Sequence, residues 1–134
     1  MRKINGSCLC NQIKFSCEDN FQQFHLCHCK QCQKTTGSAH VSNLFTSPDN
    51  VIWLAGKEHI IRFDMPGRSI SSAFCSHCGS PVPYLSKTGK ALVVPAGALD
   101  ATPTLNVQDN IFWEERADWY DAGIHSDKCA GFPD

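Results

Sequence analysis

The chain has 134 residues, 42% of them hydrophobic and 19% charged, a mix that excludes a disordered polymer and leaves room for one core. Its formal net charge of −1 excludes an electrostatic hold on nucleic acid or on an anionic membrane surface. No apolar run is long enough to span a bilayer, and the start, MRKINGSCLC, lacks the apolar stretch of a secretory signal. A single domain over 1–134, located in the cytoplasm, is therefore expected.

In chain order, Ile13-Lys14-Phe15-Ser16-Cys17 alternates apolar and polar residues as a half-buried strand does. Short apolar runs at Val41–Phe45, Val51–Leu54, Ile60–Phe63, Val82–Leu85, Leu92–Val94 and Ile111–Trp113 read as further strands. Turn-forming stretches separate them: Ser47-Pro48-Asp49-Asn50, Ala55-Gly56-Lys57, Met65-Pro66-Gly67 and Lys87-Thr88-Gly89-Lys90. Only Gln31 to Thr36, ended by Gly37, reads as a helical turn. From Ile124 to Asp134 the patterning is weak, and an irregular packed arm is expected. Frequent short strands without a long helix predict an all-β domain of small antiparallel sheets. Such a domain buries modest area per residue and needs a staple.

Nine cysteines are available to make one. In a reducing compartment disulfides are rare, an odd count closes no disulfide framework, and clustered cysteines point to metal. Three groups stand out: Cys8-Leu9-Cys10, then Cys27-His28-Cys29-Lys30-Gln31-Cys32, then Cys75-Ser76-His77-Cys78-Gly79. A structural zinc takes four protein ligands in a closed tetrahedron, whereas a reactive zinc keeps one position open. The pairs Cys8/Cys10 and Cys75/Cys78 make a four-thiolate site. Cys27, Cys29 and Cys32 then offer three thiolates and an open fourth position, where water or a substrate sulfur can bind. Two alternatives stand beside this division. His28 can close the second shell, although a side chain between two ligating neighbours tends to point away. The trio can also hold part of an iron–sulfur cluster if Cys17 or Cys129 supplies a fourth ligand. Cys17, within an alternating strand, reads as a buried apolar residue, and Cys129 as a spectator.

These blocks, together with Gln33-Lys34-Thr35-Thr36-Gly37-Ser38, Ala96-Gly97-Ala98-Leu99-Asp100, Ile111-Phe112-Trp113 and Asp118-Trp119, make the chain resemble the glutathione-dependent formaldehyde-activating enzyme family. The resemblance runs nearly end to end. It implies a tent-like all-β fold with two zinc ions per chain. One is structural, on Cys8, Cys10, Cys75 and Cys78; the other is exchangeable and catalytic, on Cys27, Cys29 and Cys32. The implied activity is a carbon–sulfur lyase that joins glutathione to formaldehyde as S-hydroxymethylglutathione. Glutathione and an aldehyde are thus the implied partners.

Lys30, Lys34 and the backbone amides of Thr35 to Ser38 are candidate partners for the tripeptide's carboxylates, against the reading of both lysines as solvated surface. Asn11 stands where the family commonly has Gly, and Asn best tolerates the left-handed backbone such a turn needs. His40 stands at a place where an aromatic is common; it reads as a hydrogen-bonded histidine or a proton shuttle. Ser72 and Ala73 stand where the family often carries a basic residue. A zinc-stabilised protein-interaction module without turnover is the alternative function. A zinc-finger reading fails because the paired ligands lie too far apart for a finger helix.

Overall fold

The computed structural model describes residues 1–133. Ten strands form three small sheets: β1 (Lys3–Ser7), β2 (Lys14–Glu18), β3 (Gln23–Cys27), β4 (Val41–Thr46), β5 (Ile52–Ala55), β6 (Ile60–Asp64), β7 (Ser71–Cys75), β8 (Tyr84–Leu85), β9 (Leu92–Pro95) and β10 (Asp109–Ile111). Two short helices, α1 (Lys30–Thr36) and α2 (Tyr120–Ile124), complete the regular structure. The first sheet runs β1-β2-β5, the second β10-β3-β4-β9-β8, the third β6-β7. All pairs are antiparallel except β10 with β3. The fold is mainly β, as the strand pattern predicts.

The central core lies between the first two sheets. Ile4, Phe15 and Cys17 from one meet Phe24, Leu44, Leu92 and Val94 from the other. Gly6 is directly opposite Phe15 in the β1–β2 register, and a Cβ there would sit 2.1 Å from the Phe15 ring. The residue that looks like a weak point of β1 is thus the one that admits the ring. A second, smaller core consists of Cys8, Ile13, Ala73, Cys75 and Val82. Two of its five members are thiols, so apolar burial alone is thin there. Trp53 packs against both clusters and meets Phe15 edge-on at 5.8 Å.

Several elements depart from the sequence pattern. β1, β3 and β7 carry glycine, serine or glutamine where a strand signal needs bulk, and their character comes from pairing instead. Val82 is buried but outside any strand. The expected strand at Ile111–Trp113 ends at Ile111, because Phe112 turns left-handed (φ 54) and starts a 3-10 turn over Trp113–Glu115. The expected packed arm is also corrected. Ile124 ends α2 and every residue from 124 to 133 is exposed, while Asp134 lies outside the described residues. No helix among the described residues is long and apolar enough to cross a membrane.

Asp19 ties the chain start to the loop before β10. It accepts from Thr104 Oγ1 at 2.6 Å and Thr104 N at 3.2 Å, and from Arg2 at 2.9 Å. Its side chain is only 4% exposed. The Thr104 hydroxyl, the Thr104 amide and Arg2 hold its carboxyl below the usual carboxylate range, against the opposing effect of burial. Asp19→Ala should therefore lower stability at pH 7 by about 1–2 kcal/mol, Arg2 being too exposed to add more. A depressed folded pKa contributes stability that is present above the unfolded value near 3.9 and is lost as pH falls through the folded one. Urea melts of both proteins should thus converge as pH drops from 5 towards 2; a gap that stays constant would remove Asp19's charge from the account.

Candidate metal centre and cleft

Cys8 follows β1 directly, and Cys10 lies two residues on in the turn to β2. Asn11 adopts φ 66, and its amide donates to the Cys8 carbonyl at 3.0 Å. The chain thereby doubles back so that both sulfurs point the same way. Cys75 ends β7, and Gly79 at φ 75 lets its amide return to the Cys75 carbonyl at 2.8 Å, which brings Cys78 round. Ser80 joins the two knuckles: its hydroxyl accepts from the Leu9 amide at 3.0 Å and lies 3.2 Å from the Cys78 sulfur.

All four sulfurs lie within 4.8 Å of one another, with Cys8 and Cys10 3.6 Å apart and Cys10 and Cys75 3.8 Å apart. A tetrahedron with zinc–sulfur bonds of about 2.3 Å has an edge of about 3.8 Å. The donor set and its spacing fit a four-coordinate zinc. The amides of Ile13 and His77 donate to the Cys8 and Cys75 sulfurs at 3.3 and 3.4 Å, as they would to thiolates. The Ser80 hydroxyl and amide pull Cys78 down to about 5. Cys10, although helped by the Gln12 amide, is pushed up to about 12 by desolvation and its sulfur neighbours. Ionising one thiol therefore opposes ionising the next, and four thiolates together need a cation.

The second cluster lies where β3 gives way to α1. Cys27 ends β3, paired with Val41 of β4; Cys29 is the N-cap of α1; Cys32 lies within the helix. The Cys29 sulfur accepts the Cys32 amide at 3.2 Å, a capping bond that a thiolate strengthens. Thr35 and Thr36 return their hydroxyls to the Cys32 carbonyl at 3.0 and 2.9 Å, and Gly37 closes the helix at φ 65. The Cys27 and Cys32 sulfurs are 3.2 Å apart, and all three lie within 4.8 Å. Burial pushes the Cys27 thiol up, and burial together with the other two sulfurs pushes Cys32 up. This set also lacks a positive charge and fits a metal with three thiolate ligands.

His28 is not among those ligands. Its ring is fully buried on the other side of the chain, with Nε2 2.9 Å from the Asn110 side-chain oxygen. The rings of Tyr120, Trp113 and His40 lie edge-on around it, at 4.9, 5.0 and 5.0 Å. The left-handed Phe112 turns Trp113 into this packing, and Gln33 bonds the His28 and Glu115 carbonyls at 2.8 and 3.0 Å. His28 therefore anchors the segment that carries the trio. Cys17 is in the central core, where burial raises its thiol to about 11, and Cys129 is exposed; neither joins a cluster.

A cleft of about 790 Å³ takes Cys8 of the first cluster into its lining, whereas Cys27, Cys29 and Cys32 do not line it and only their neighbours along α1 and β4 do. Cys8, Leu9, Asn11, Gly79 and Ser80 form one wall, while Thr35, Thr36, His40 and Val41 form the wall next to the trio. Tyr84 and Asn43 face it from the second sheet. Burial raises the Tyr84 phenol, so it keeps its proton, and the Asn43 side-chain oxygen is buried without a partner. No local pattern marks these two residues, because only the β4-β9-β8 pairing brings them to the cleft. Lys30 and Lys34 are exposed and do not line it, which corrects their candidacy as carboxylate partners. The Gly37 and Ser38 amides are taken as well, by the Gln33 carbonyl and the Thr36 hydroxyl.

The fold is similar to the crystal structure of a Rhodobacter sphaeroides protein from a structural genomics programme, with a TM-score of 0.62. Sequence identity is 16%, and the match covers 79% of this chain and 98% of that one, so the likeness is one of fold. No curated protein matches the chain in sequence. The family model for the glutathione-dependent formaldehyde-activating enzyme matches residues 3–115. That span takes in both cysteine clusters and the walls of the cleft, and the chain belongs to the glutathione-dependent formaldehyde-activating enzyme family.

Proposed function

We propose that residues 1–134 act as one unit, a zinc-dependent carbon–sulfur lyase that forms or cleaves an S-hydroxymethylglutathione-type adduct of a thiol and an aldehyde. The observation that carries the proposal is the three-thiolate cluster of Cys27, Cys29 and Cys32 beside a cleft wall, in a chain of this family. In this reading Cys8, Cys10, Cys75 and Cys78 hold the structural zinc and the trio holds the exchangeable one. When bound, the second ion would supply an open coordination position that lowers a substrate thiol's pKa from its ordinary value of about 8.5 and a positive charge for the developing oxyanion.

The protein's own side chains position the reactants and handle the proton. The Cys29 cap and the Thr35 and Thr36 hydroxyls hold the trio's segment rigid through the Cys32 backbone. As the carbon–sulfur bond forms, the carbonyl π bond breaks and the proton lost by sulfur ends on oxygen, with no change of oxidation state. Two groups facing the cleft can take part in that transfer: the Tyr84 phenol, which stays protonated, and His40, whose Nδ1 lies 3.2 Å from the Ser42 hydroxyl. Burial, then the neighbouring His28, lowers the His40 pKa, so its ring is neutral at pH 7.

Zinc-loaded protein should speed adduct formation from formaldehyde and thiol beyond the uncatalysed rate, and Cys29→Ser should abolish the acceleration. Proton NMR of the hydroxymethyl group follows both. No acceleration with both clusters loaded would move the assignment to a protein-interaction module.

A further inference from the structure

We propose that the thiol partner of this cleft is a small neutral thiol bearing hydroxyl or amide groups, one without ionised carboxylates; the inference rests on the lyase reading and names its substrate class. Among the described residues, no lysine, arginine, aspartate or glutamate lines the cleft. Its polar surface is made of hydroxyls and amides, among them Asn11, Ser42, Asn43 and Ser72, and its one imidazole, His40, is held neutral.

The nearest charges favour the same answer. Asp64 and Asp100 stand immediately behind the lining, each hydrogen-bonded to a serine that faces the cleft: Asp64 to Ser71, and Asp100 to Ser7 at 3.0 Å. Arg62, whose NH2 lies 3.4 Å from the Ser71 hydroxyl, is already engaged. Its Nε lies 3.1 Å from both Asp64 carboxylate oxygens, and its NH1 donates to the Leu85 carbonyl at 2.7 Å. Arg62 and Asp64 cancel as an ion pair, which leaves Asp100 behind Ser7 and no net positive charge at the cleft. The backbone offers little compensation, since the Gly37 and Ser38 amides are taken. A carboxylate entering the cleft loses water, meets no cation in the lining and faces Asp100 behind Ser7. A neutral ligand meets the Asn43 oxygen, buried and without a partner, which can accept from a hydroxyl or an amide N–H.

The test is calorimetric binding and NMR turnover on the zinc-loaded protein, with N-acetylcysteamine, glutathione and glutathione diethyl ester as thiols. The expected result is at least tenfold tighter binding of N-acetylcysteamine than of glutathione, a gain of fivefold or more for glutathione on esterification, and turnover that follows binding. Glutathione binding best, and losing tenfold on esterification, would overturn the inference while leaving the lyase reading intact. The neutral preference without turnover of any thiol would support the inference about the cleft and overturn the lyase reading. Failure of every thiol to bind would overturn both. Ser72→Arg adds a cation at the wall and should raise glutathione affinity tenfold without helping N-acetylcysteamine; equal gains for both would count against the electrostatic argument.

Discussion

Cys78→Ser should yield insoluble or largely unfolded protein, whereas Cys29→Ser should stay folded, keep one zinc and lose only activity. The first site joins Cys10 to Cys75 across 65 residues and ties the first sheet to the third. Its thiols are also part of the second core, where Ile13, Ala73 and Val82 are too few to hold the two sheets alone. Structural zinc contributes on the order of 10–16 kcal/mol in small domains, against a net domain stability of about 5–15. Losing one ligand therefore removes most of the margin. The trio lies within six residues, Cys27 to Cys32, so its metal closes almost no loop. Its segment is held by β3 and by buried His28, and the hydroxyl introduced by Cys29→Ser can still cap α1. Circular dichroism melts and metal analysis of the two variants decide the matter. Equal destabilisation would mean that the trio is a structural site too.

The other large effect is expected at a residue with no chemistry. Gly56 connects β5 to the 3-10 turn over Lys57–His59, at φ 75. A Cβ there would lie 2.0 Å from the Gln12 carbonyl oxygen and 3.0 Å from the Ile13 Cα, both backbone atoms that cannot turn aside. Gly56→Ala combines this overlap with a left-handed conformation that L residues resist, and should cost about 3–5 kcal/mol. The displaced residues, Gln12 and Ile13, complete the knuckle whose amide bonds the Cys8 sulfur. Zinc retention should therefore fall together with the melting temperature. Gly67→Ala is the control: it shares the positive φ, at 72°, but has open space around its Cβ, and should cost only about 1 kcal/mol. Equal losses in the two variants would show that backbone strain alone, and not the clash with Gln12, sets the effect.

Cysteine spacing carried the site because a metal demands ligands by type and number, and both are written in the residues themselves. The same holds for Asn11 and Gly79, whose left-handed turns bring paired sulfurs together. Strands such as β2 and β9 were legible for a similar local reason, a run of alternating or buried apolar residues. β7 was not, because Ser71 and Ala73 are buried by what packs on them and not by their own hydrophobicity. Tyr84 and Asn43 reach the cleft only through register between strands far apart in sequence, and sequence leaves such register open until the partner is known. The lysines near the trio misled because closeness along the chain says nothing about side: α1 turns Lys30 and Lys34 outward while Thr35 and Thr36 line the cleft.

The 65-residue gap between the two knuckles also sets an order of events during synthesis. At about 5–20 residues per second on the ribosome, Cys8 and Cys10 are made roughly 3–13 seconds before Cys75 exists. For that interval the amino-terminal pair has only half a shell, while the trio, complete by Cys32, already has its full set of thiolates. On the proposed zinc assignment, a nascent chain supplied with scarce zinc would thus load the trio first and complete the four-cysteine site last. On the same assignment, an oxidant present in that window would find two unprotected thiols, Cys8 and Cys10, before the second half of the chain has been translated.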